Sequence, residues 1–101
     1  MISGQQKLAE NAHLVGAILK QVSNPNRLMI LCCITDDELT VSDLNQQVAL
    51  SQSALSQHLA KLREHNIVVT RRESQAIFYR IADPKIKTLL GFLQEKFCNN
   101  H

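Results

Sequence analysis

A chain of 101 residues, 45% of them hydrophobic, is long enough for one small domain over residues 1–101 with a modest core. The longest apolar run, Leu28 to Ile34, is too short to span a bilayer, so we expect no membrane-spanning segment and no membrane partner. Because residues 1–20 contain no apolar signal-peptide core, we expect a cytoplasmic protein whose 3 cysteines are reduced.

The net charge of +2 is distributed unevenly along the chain. Residues 1–50 carry three cationic and five acidic side chains, a net charge of −2, whereas residues 51–82 carry five cationic and two acidic side chains, a net charge of +3. Residues 83–101 carry +1. A positive segment inside a nearly neutral chain favours an anionic partner such as nucleic acid.

Helical spacing and capping residues predict three helices in the first half of the chain. The apolar stripe of residues 5–22 is narrow, which favours pairing with another helix. Asn24 can cap a second helix, and residues 28–34 are apolar on every side, which predicts a helix buried in the centre of the domain. Thr40 can cap a short third helix with Asp43 in its first turn.

A fourth helix begins after Ser51, which can cap it, and its predicted buried face carries Leu55, Leu59 and Leu62. Its other face carries side chains that suit base edges and phosphates. These candidate DNA-binding residues are Gln52, Ser53, Ser56, Gln57, His58, Lys61 and Arg63. Taken alone, the same pattern also fits an ordinary amphipathic surface helix.

The residues after this helix predict a β-hairpin and a last helix. β-Formers at 67–70 and 77–81 flank a polar loop from Arg71 to Ala76, and Asp83 can cap the final helix. The order α-α-α-α-β-β-α is that of a winged helix-turn-helix, mainly α with a β-hairpin wing. Arg71, Arg72 and Arg80 are then candidate phosphate contacts. Because no catalytic cluster is evident, we do not expect an enzyme.

Two segments resemble the ArsR/SmtB family of dimeric bacterial repressors. They are residues 24–31 (NPNRLMIL) in the second helix and residues 50–63 (LSQSALSQHLAKLR) in the fourth, together with Tyr79 in the wing. The resemblance covers nearly the whole chain. It implies a homodimer built from the first and last helices that binds an inverted-repeat operator in double-stranded DNA.

The chain departs from the metal-sensing members of that family. Their third helix begins with a motif containing two cysteines, whereas residues 38–44 read ELTVSDL, with hydroxyls at Thr40 and Ser42. Hydroxyls are poor ligands for soft ions. The last helix offers Asp83 and Glu95 but no histidine before His101, so we expect neither a metal site nor another cofactor.

The cysteines allow more than one interpretation. Cys32, Cys33 and Cys98 can each be a buried residue without chemistry, because a free cysteine packs as a small hydrophobe. However, residues 30–32 (ILC) in the second helix and Phe97–Cys98 near the C-terminus resemble the HlyU/BigR/SqrR-like subgroup. This resemblance implies that Cys32 and Cys98 form a redox switch for reactive sulfur species or an oxidant. Disulfide and tetrasulfide bridging both remain open, as does participation of Cys33.

Two further hypotheses compete with the redox-sensing repressor. One is a redox-insensitive DNA-binding regulator or anti-silencer with structural cysteines. The other is a thiol-dependent enzyme using Cys33 and His58, which lacks an evident third orienting group. His13 and His65 are expected to face solvent.

Overall fold

The computed structural model describes residues 4–98. The helices are α1 (Gly4–Val22), α2 (Pro25–Cys33), α3 (Val41–Gln47), α4 (Gln52–Glu64) and α5 (Pro84–Phe97), and the strands are β1 (Val68–Glu73) and β2 (Ala76–Ile81). The two strands form one antiparallel hairpin between α4 and α5. The predicted winged helix-turn-helix order is therefore confirmed.

Side-chain caps begin four helices where the sequence predicted them. The capping residues of α2, α3, α4 and α5 are Asn24, Thr40, Ser51 and Asp83, and each accepts a hydrogen bond from a backbone amide in the first turn. At α3 the arrangement is reciprocal: Thr40 Oγ1 accepts from the Asp43 amide, and Asp43 Oδ2 accepts from the Thr40 amide, both at 3.1 Å. These bonds satisfy amides that have no partner inside the helix.

One hydrophobic core lies between α2, α3, α4, α5 and the start of the hairpin. Its fully buried side chains are Ile30, Leu31, Ile34, Leu44, Leu55, Leu59, Leu62, Ile67, Val68 and Leu90. The predicted buried face of α4 is thus confirmed. The prediction that α2 forms the centre of the domain is confirmed, because α2 packs against the four other helices, although Met29 on its outer side is 56% exposed.

The wing is tighter than the sequence predicted. The strands stay paired as far as Glu73 and Ala76, so a two-residue turn beginning at Ser74 joins them. The predicted polar loop was therefore wrong, because Arg71 and Arg72 lie within β1. Ser74 has a φ of 59°, and this left-handed conformation allows the chain to reverse within two residues.

A short bridge connects the wing to the segment between α2 and α3. The Leu39 amide donates to the Tyr79 carbonyl at 3.1 Å, and the Tyr79 amide donates to the Leu39 carbonyl at 2.8 Å. Leu39 therefore pairs with the outer edge of β2, on the side opposite β1. No helix within residues 4–98 is long and apolar enough to cross a membrane.

Candidate functional site

The outer face of α4 is open to solvent and supported from behind. Of the seven side chains of α4 that were predicted to bind DNA, six are exposed and His58 is half-buried. α2 and α3 pack against the inner face of α4. The α3–α4 turn is held by Asn45, whose Nδ2 donates to the Leu50 carbonyl at 2.8 Å. A supported helix with an exposed polar face is the arrangement that enters a major groove in helix-turn-helix proteins.

Arg71 of the wing contacts two carboxylates and an aromatic ring. Its Nε lies 2.9 Å from both carboxylate oxygens of Glu38, and its Nη1 lies 2.8 Å from Oε2 of Glu73. The guanidinium carbon is 4.5 Å from the centre of the Phe78 ring. Hydrogen bonds with Glu73 and then with Glu38 raise the pKa of Arg71, so this side chain stays charged. Arg80 Nε lies 3.8 Å from Glu38 Oε2.

Arg72 has different surroundings. Its neighbour on β2 is Ile77, which is 37% exposed. Within residues 4–98, no carboxylate oxygen lies within 4.0 Å of the Arg72 guanidinium. The three predicted phosphate contacts thus fall into two groups, with Arg71 and Arg80 beside carboxylates and Arg72 facing solvent.

The end of α5 is fastened to the end of α2, close to two of the cysteines. Gln94 Nε2 donates to the buried Thr35 Oγ1 at 3.0 Å, and that hydroxyl donates to the Leu31 carbonyl at 2.9 Å. Cys98 follows α5 directly, and its amide donates to the Gln94 carbonyl at 2.8 Å. The hydrogen bond between Gln94 and Thr35 therefore brings the Cys98 end of α5 to the Cys32 end of α2.

The thiols of Cys32 and Cys33 both have a raised pKa, but for different reasons. Burial raises the pKa of Cys32 most, charge on Cys98 raises it further, and charge on Cys33 contributes least. An electrostatic effect of Cys98 on Cys32 requires that the two sulfur atoms share one neighbourhood. Burial alone raises the pKa of Cys33, whose side chain packs against the hydrophobic core. Cys32 thus lies within electrostatic reach of both other cysteines, and Cys33 also packs against the core.

Sequence reasoning missed three residues that contact the candidate functional side chains or hold them in place: Thr35, Glu38 and Gln94. Glu38 meets Arg71 across 33 residues of sequence, and Gln94 meets Thr35 across 59. Each contact depends on how distant elements pack, which helical periodicity does not report. The available signals were a carboxylate two residues before the cap of the third helix and a glutamine one turn before Cys98.

Metal-ligand side chains do not gather in the part of the chain that the structure describes. Among residues 4–98, no three side chains of histidine, cysteine, aspartate or glutamate are arranged to hold a metal ion. His13 and His65 are exposed, as predicted. His101 lies outside the described residues.

Comparison with known proteins shows that nearly the whole chain is similar to bacterial transcriptional regulators. Residues 24–70 match the family model described as bacterial regulatory protein, arsR family. The transcriptional activator HlyU of Vibrio cholerae is 41% identical over 93 residues, which are 92% of this chain and 86% of HlyU. The biofilm growth-associated repressor of Xylella fastidiosa is 39% identical over 94 residues, which are 93% of this chain and 82% of the repressor.

Solved structures agree with this assignment. Reduced HlyU from Vibrio cholerae matches with a TM-score of 0.86 over 92% of this chain and 98% of that one, at 41% identity. A homodimeric winged helix-turn-helix DNA-binding domain from Mycobacterium bovis matches with a TM-score of 0.76 over 92% of this chain and 87% of that one, at 26% identity. The curated relatives named above are transcriptional regulators and not enzymes. This chain belongs to the ArsR family of DNA-binding transcriptional regulators.

Proposed function

We propose that this regulator is a homodimeric repressor of the cytoplasm that leaves its operator when Cys32 and Cys98 become bridged. The observation that carries the proposal is the hydrogen bond from Gln94 to Thr35, which holds the end of α5 that carries Cys98 against the end of α2 that carries Cys32. Charge on Cys98 also raises the pKa of Cys32. Residues 66 positions apart in the sequence form that pair, one beside the DNA-reading unit and one at the end of α5. The inducer is a reactive sulfur species or another oxidant.

DNA binding uses the exposed face of α4. In a dimer, two copies of α4 enter successive major grooves of an inverted repeat, roughly 34 Å apart. The side chains proposed to read or position on the DNA are Gln52, Ser53, Ser56, Gln57, His58, Lys61 and Arg63. The wing adds phosphate contacts through Arg71, Arg72 and Arg80. Binding should weaken steeply with salt, because each neutralised phosphate releases counterions.

Dimerisation uses α1 and α5, which present large apolar side chains to solvent in the single chain. Those that are exposed are Leu8, Leu14, Val15, Leu19, Phe92 and Phe97. Part of this surface is an apolar groove between the two helices, lined by Ile18 and Leu19 of α1 and by Ile86 and Leu89 of α5. Apolar surface of this extent favours burial against a partner. The homodimeric domain from Mycobacterium bovis supports a second copy as that partner.

The switch is a two-electron oxidation of two thiols. A disulfide forms when Cys32 and Cys98 lose two protons and two electrons, and the oxidant accepts the electrons. A tetrasulfide forms when each thiol first takes one sulfur atom from a polysulfide donor and the two persulfides then undergo the same oxidation. The longer bridge tolerates a larger separation than a disulfide, whose Cα atoms lie within about 7 Å.

Bridging acts on DNA binding through the helices that carry the two sulfurs. α2 packs against α4, and α5 belongs to the proposed dimer surface. A covalent bridge adds a rigid restraint to the existing Gln94–Thr35 contact and therefore changes how each α4 is held relative to the dimer axis. A coupling free energy of about 1–3 kcal/mol would lower operator affinity roughly 5- to 150-fold.

The test compares reduced protein with polysulfide-treated protein. The probe is a DNA duplex selected from a random-sequence library by the reduced protein, and affinity is measured by fluorescence anisotropy. Wild type and the matched control Cys33→Ser should both lose affinity on treatment and recover it with a reductant. Cys98→Ser should keep its affinity, and an undiminished response in that variant would contradict the bridge.

Mass spectrometry of the treated protein separates this proposal from the redox-insensitive regulator or anti-silencer. A switch predicts a bridge between the Cys32 and Cys98 peptides. Structural cysteines would neither crosslink nor gain sulfur. A promoter–reporter fusion then distinguishes repression from activation, since one of the relatives named above is an activator and the other a repressor.

A further inference from the structure

The two faces of the wing carry different charge. Side chains paired across an antiparallel hairpin point to the same face, and neighbours along a strand point to opposite faces. Arg71 pairs with Phe78, and Arg80 lies two residues beyond Phe78, so both arginines share one face. Arg72 pairs with Ile77 on the other face.

Carboxylates offset the charge of the face that carries two arginines. Glu73 belongs to that face through the strand alternation, and Glu38 reaches it because its neighbour Leu39 is bonded to the edge of β2. Arg71 Nε is 2.9 Å from both oxygens of Glu38, and Arg80 Nε is 3.8 Å from one of them. Two cations and two carboxylates leave this face without net charge, whereas Arg72 keeps its full charge.

We propose that Glu38 competes with DNA phosphates for Arg71 and Arg80 and thereby limits the affinity of the protein for DNA. A carboxylate and a phosphate bind the same guanidinium N–H groups, so Arg71 cannot serve both fully. Its side chain is 44% exposed, which leaves it accessible to a phosphate. In the wild-type protein Arg72 is then the principal phosphate contact of the wing, and Glu38 determines how much Arg71 adds.

The first experiment removes the competing charge and keeps the shape of the side chain. Glu38→Gln is compared with Asp37→Asn, which makes the same charge change one residue earlier. Asp37 is exposed, and within residues 4–98 no lysine, arginine or histidine nitrogen lies within 4.0 Å of its carboxylate. The probe is a fluorescent random-sequence duplex of about 30 base pairs, near three helical turns, titrated with reduced protein.

Glu38→Gln should bind the duplex about 3- to 20-fold more tightly, because an exposed ion pair changes an equilibrium only a few-fold and the proposed dimer holds two copies. The slope of log affinity against log salt should become steeper by up to about 2, since each protomer gains one phosphate contact. Asp37→Asn should change both quantities much less.

Two arginine variants give an independent readout. In the wild-type background, Arg72→Gln should weaken duplex binding more than Arg71→Gln does. In the Glu38→Gln background, Arg71→Gln should weaken binding as much as Arg72→Gln does. This difference between the two backgrounds cannot come from a general loss of fold, because none of the three positions is buried.

The inference rests on the proposed contact between the wing and DNA, and the outcomes separate the two. If Arg72→Gln weakens binding but Glu38→Gln does not strengthen it, or Asp37→Asn strengthens it equally, the competition by Glu38 is overturned alone. If neither arginine variant changes the affinity or the salt dependence, the wing does not contact the duplex and both proposals are overturned.

Discussion

Cys32 is the residue whose chemistry depends most strongly on its surroundings. Burial is the largest cause of its raised pKa, followed by Cys98 and then Cys33. Because thiolate is the reacting form, a raised pKa leaves less reactive Cys32 at neutral pH. Cys98 is exposed at the end of α5. We therefore infer that Cys98 meets an oxidant first and that Cys32 completes the bridge.

Brief alkylation at neutral pH tests this order. Iodoacetamide should modify Cys98 before Cys32, because the Cys98 side chain is accessible and the Cys32 thiol is half-buried and mostly protonated. Peptide mass spectrometry over a time course measures the three rates. In urea the three cysteines should react at similar rates, which controls for intrinsic differences. Faster labelling of Cys32 in the folded protein would contradict the assigned order.

The influence of Cys98 on Cys32 predicts a pH effect of definite sign. Charge on Cys98 raises the pKa of Cys32, so Cys98→Ser should lower that pKa and move the pH profile of Cys32 alkylation to lower pH. Cys33→Ser should shift the profile less, because its effect on Cys32 is the smallest of the three causes. An unchanged profile in Cys98→Ser would mean that the two thiols are not neighbours in solution.

At the scale of elements, α3 depends on its cap because it has only 7 residues. Thr40→Ala removes the hydroxyl that accepts from the Asp43 amide, and the free energy of unfolding should fall by about 0.5–2 kcal/mol. Urea unfolding followed by circular dichroism measures the change. Thr40→Ser keeps the hydroxyl and should retain most of the stability. Equal losses in both variants would assign the effect to the threonine methyl group.

How well each element could be predicted depends on the range of the interactions that form it. The caps at Asn24, Thr40 and Ser51 are local, since each bonds an amide two or three residues away, and the sequence alone placed them correctly. The wing turn was misjudged, because serine gives no strong signal for the left-handed conformation that Ser74 adopts.

Contacts within the candidate site were less predictable than the elements that carry them. The polar face of α4 follows from helical periodicity, so the exposure of its side chains could be predicted. Glu38 could not be matched with Arg71, because their contact depends on the register of the hairpin and on the Leu39–Tyr79 bridge. The exposure of Met29 was equally hidden, because an apolar helix does not reveal which of its sides meets the core.

At the scale of the whole molecule, the apolar surface of α1 and α5 predicts that dimer formation and operator binding are coupled. Leu14 is 64% exposed in the single chain, and Leu14→Glu would place a charge in the proposed interface. Sedimentation velocity should show a monomer, and operator affinity should fall at least about 100-fold, because a lone protomer engages one half-site only. Ala60→Glu adds the same charge on α4 and should remain a dimer.

The Leu39–Tyr79 bridge connects α2, which carries Cys32, to the wing by a route separate from the packing of α2 on α4. Only five residues, 34–38, separate the end of the cysteine-bearing α2 from a segment hydrogen-bonded to the wing. Within residues 34–38, Ile34 and Thr35 are buried. The next residue, Leu39, is hydrogen-bonded to Tyr79 of β2. If α2 tilts when Cys32 reacts, we expect the angle of the wing to change along with the support of α4. The contacts of α4 with the major groove and those of the wing with the phosphates would then change together.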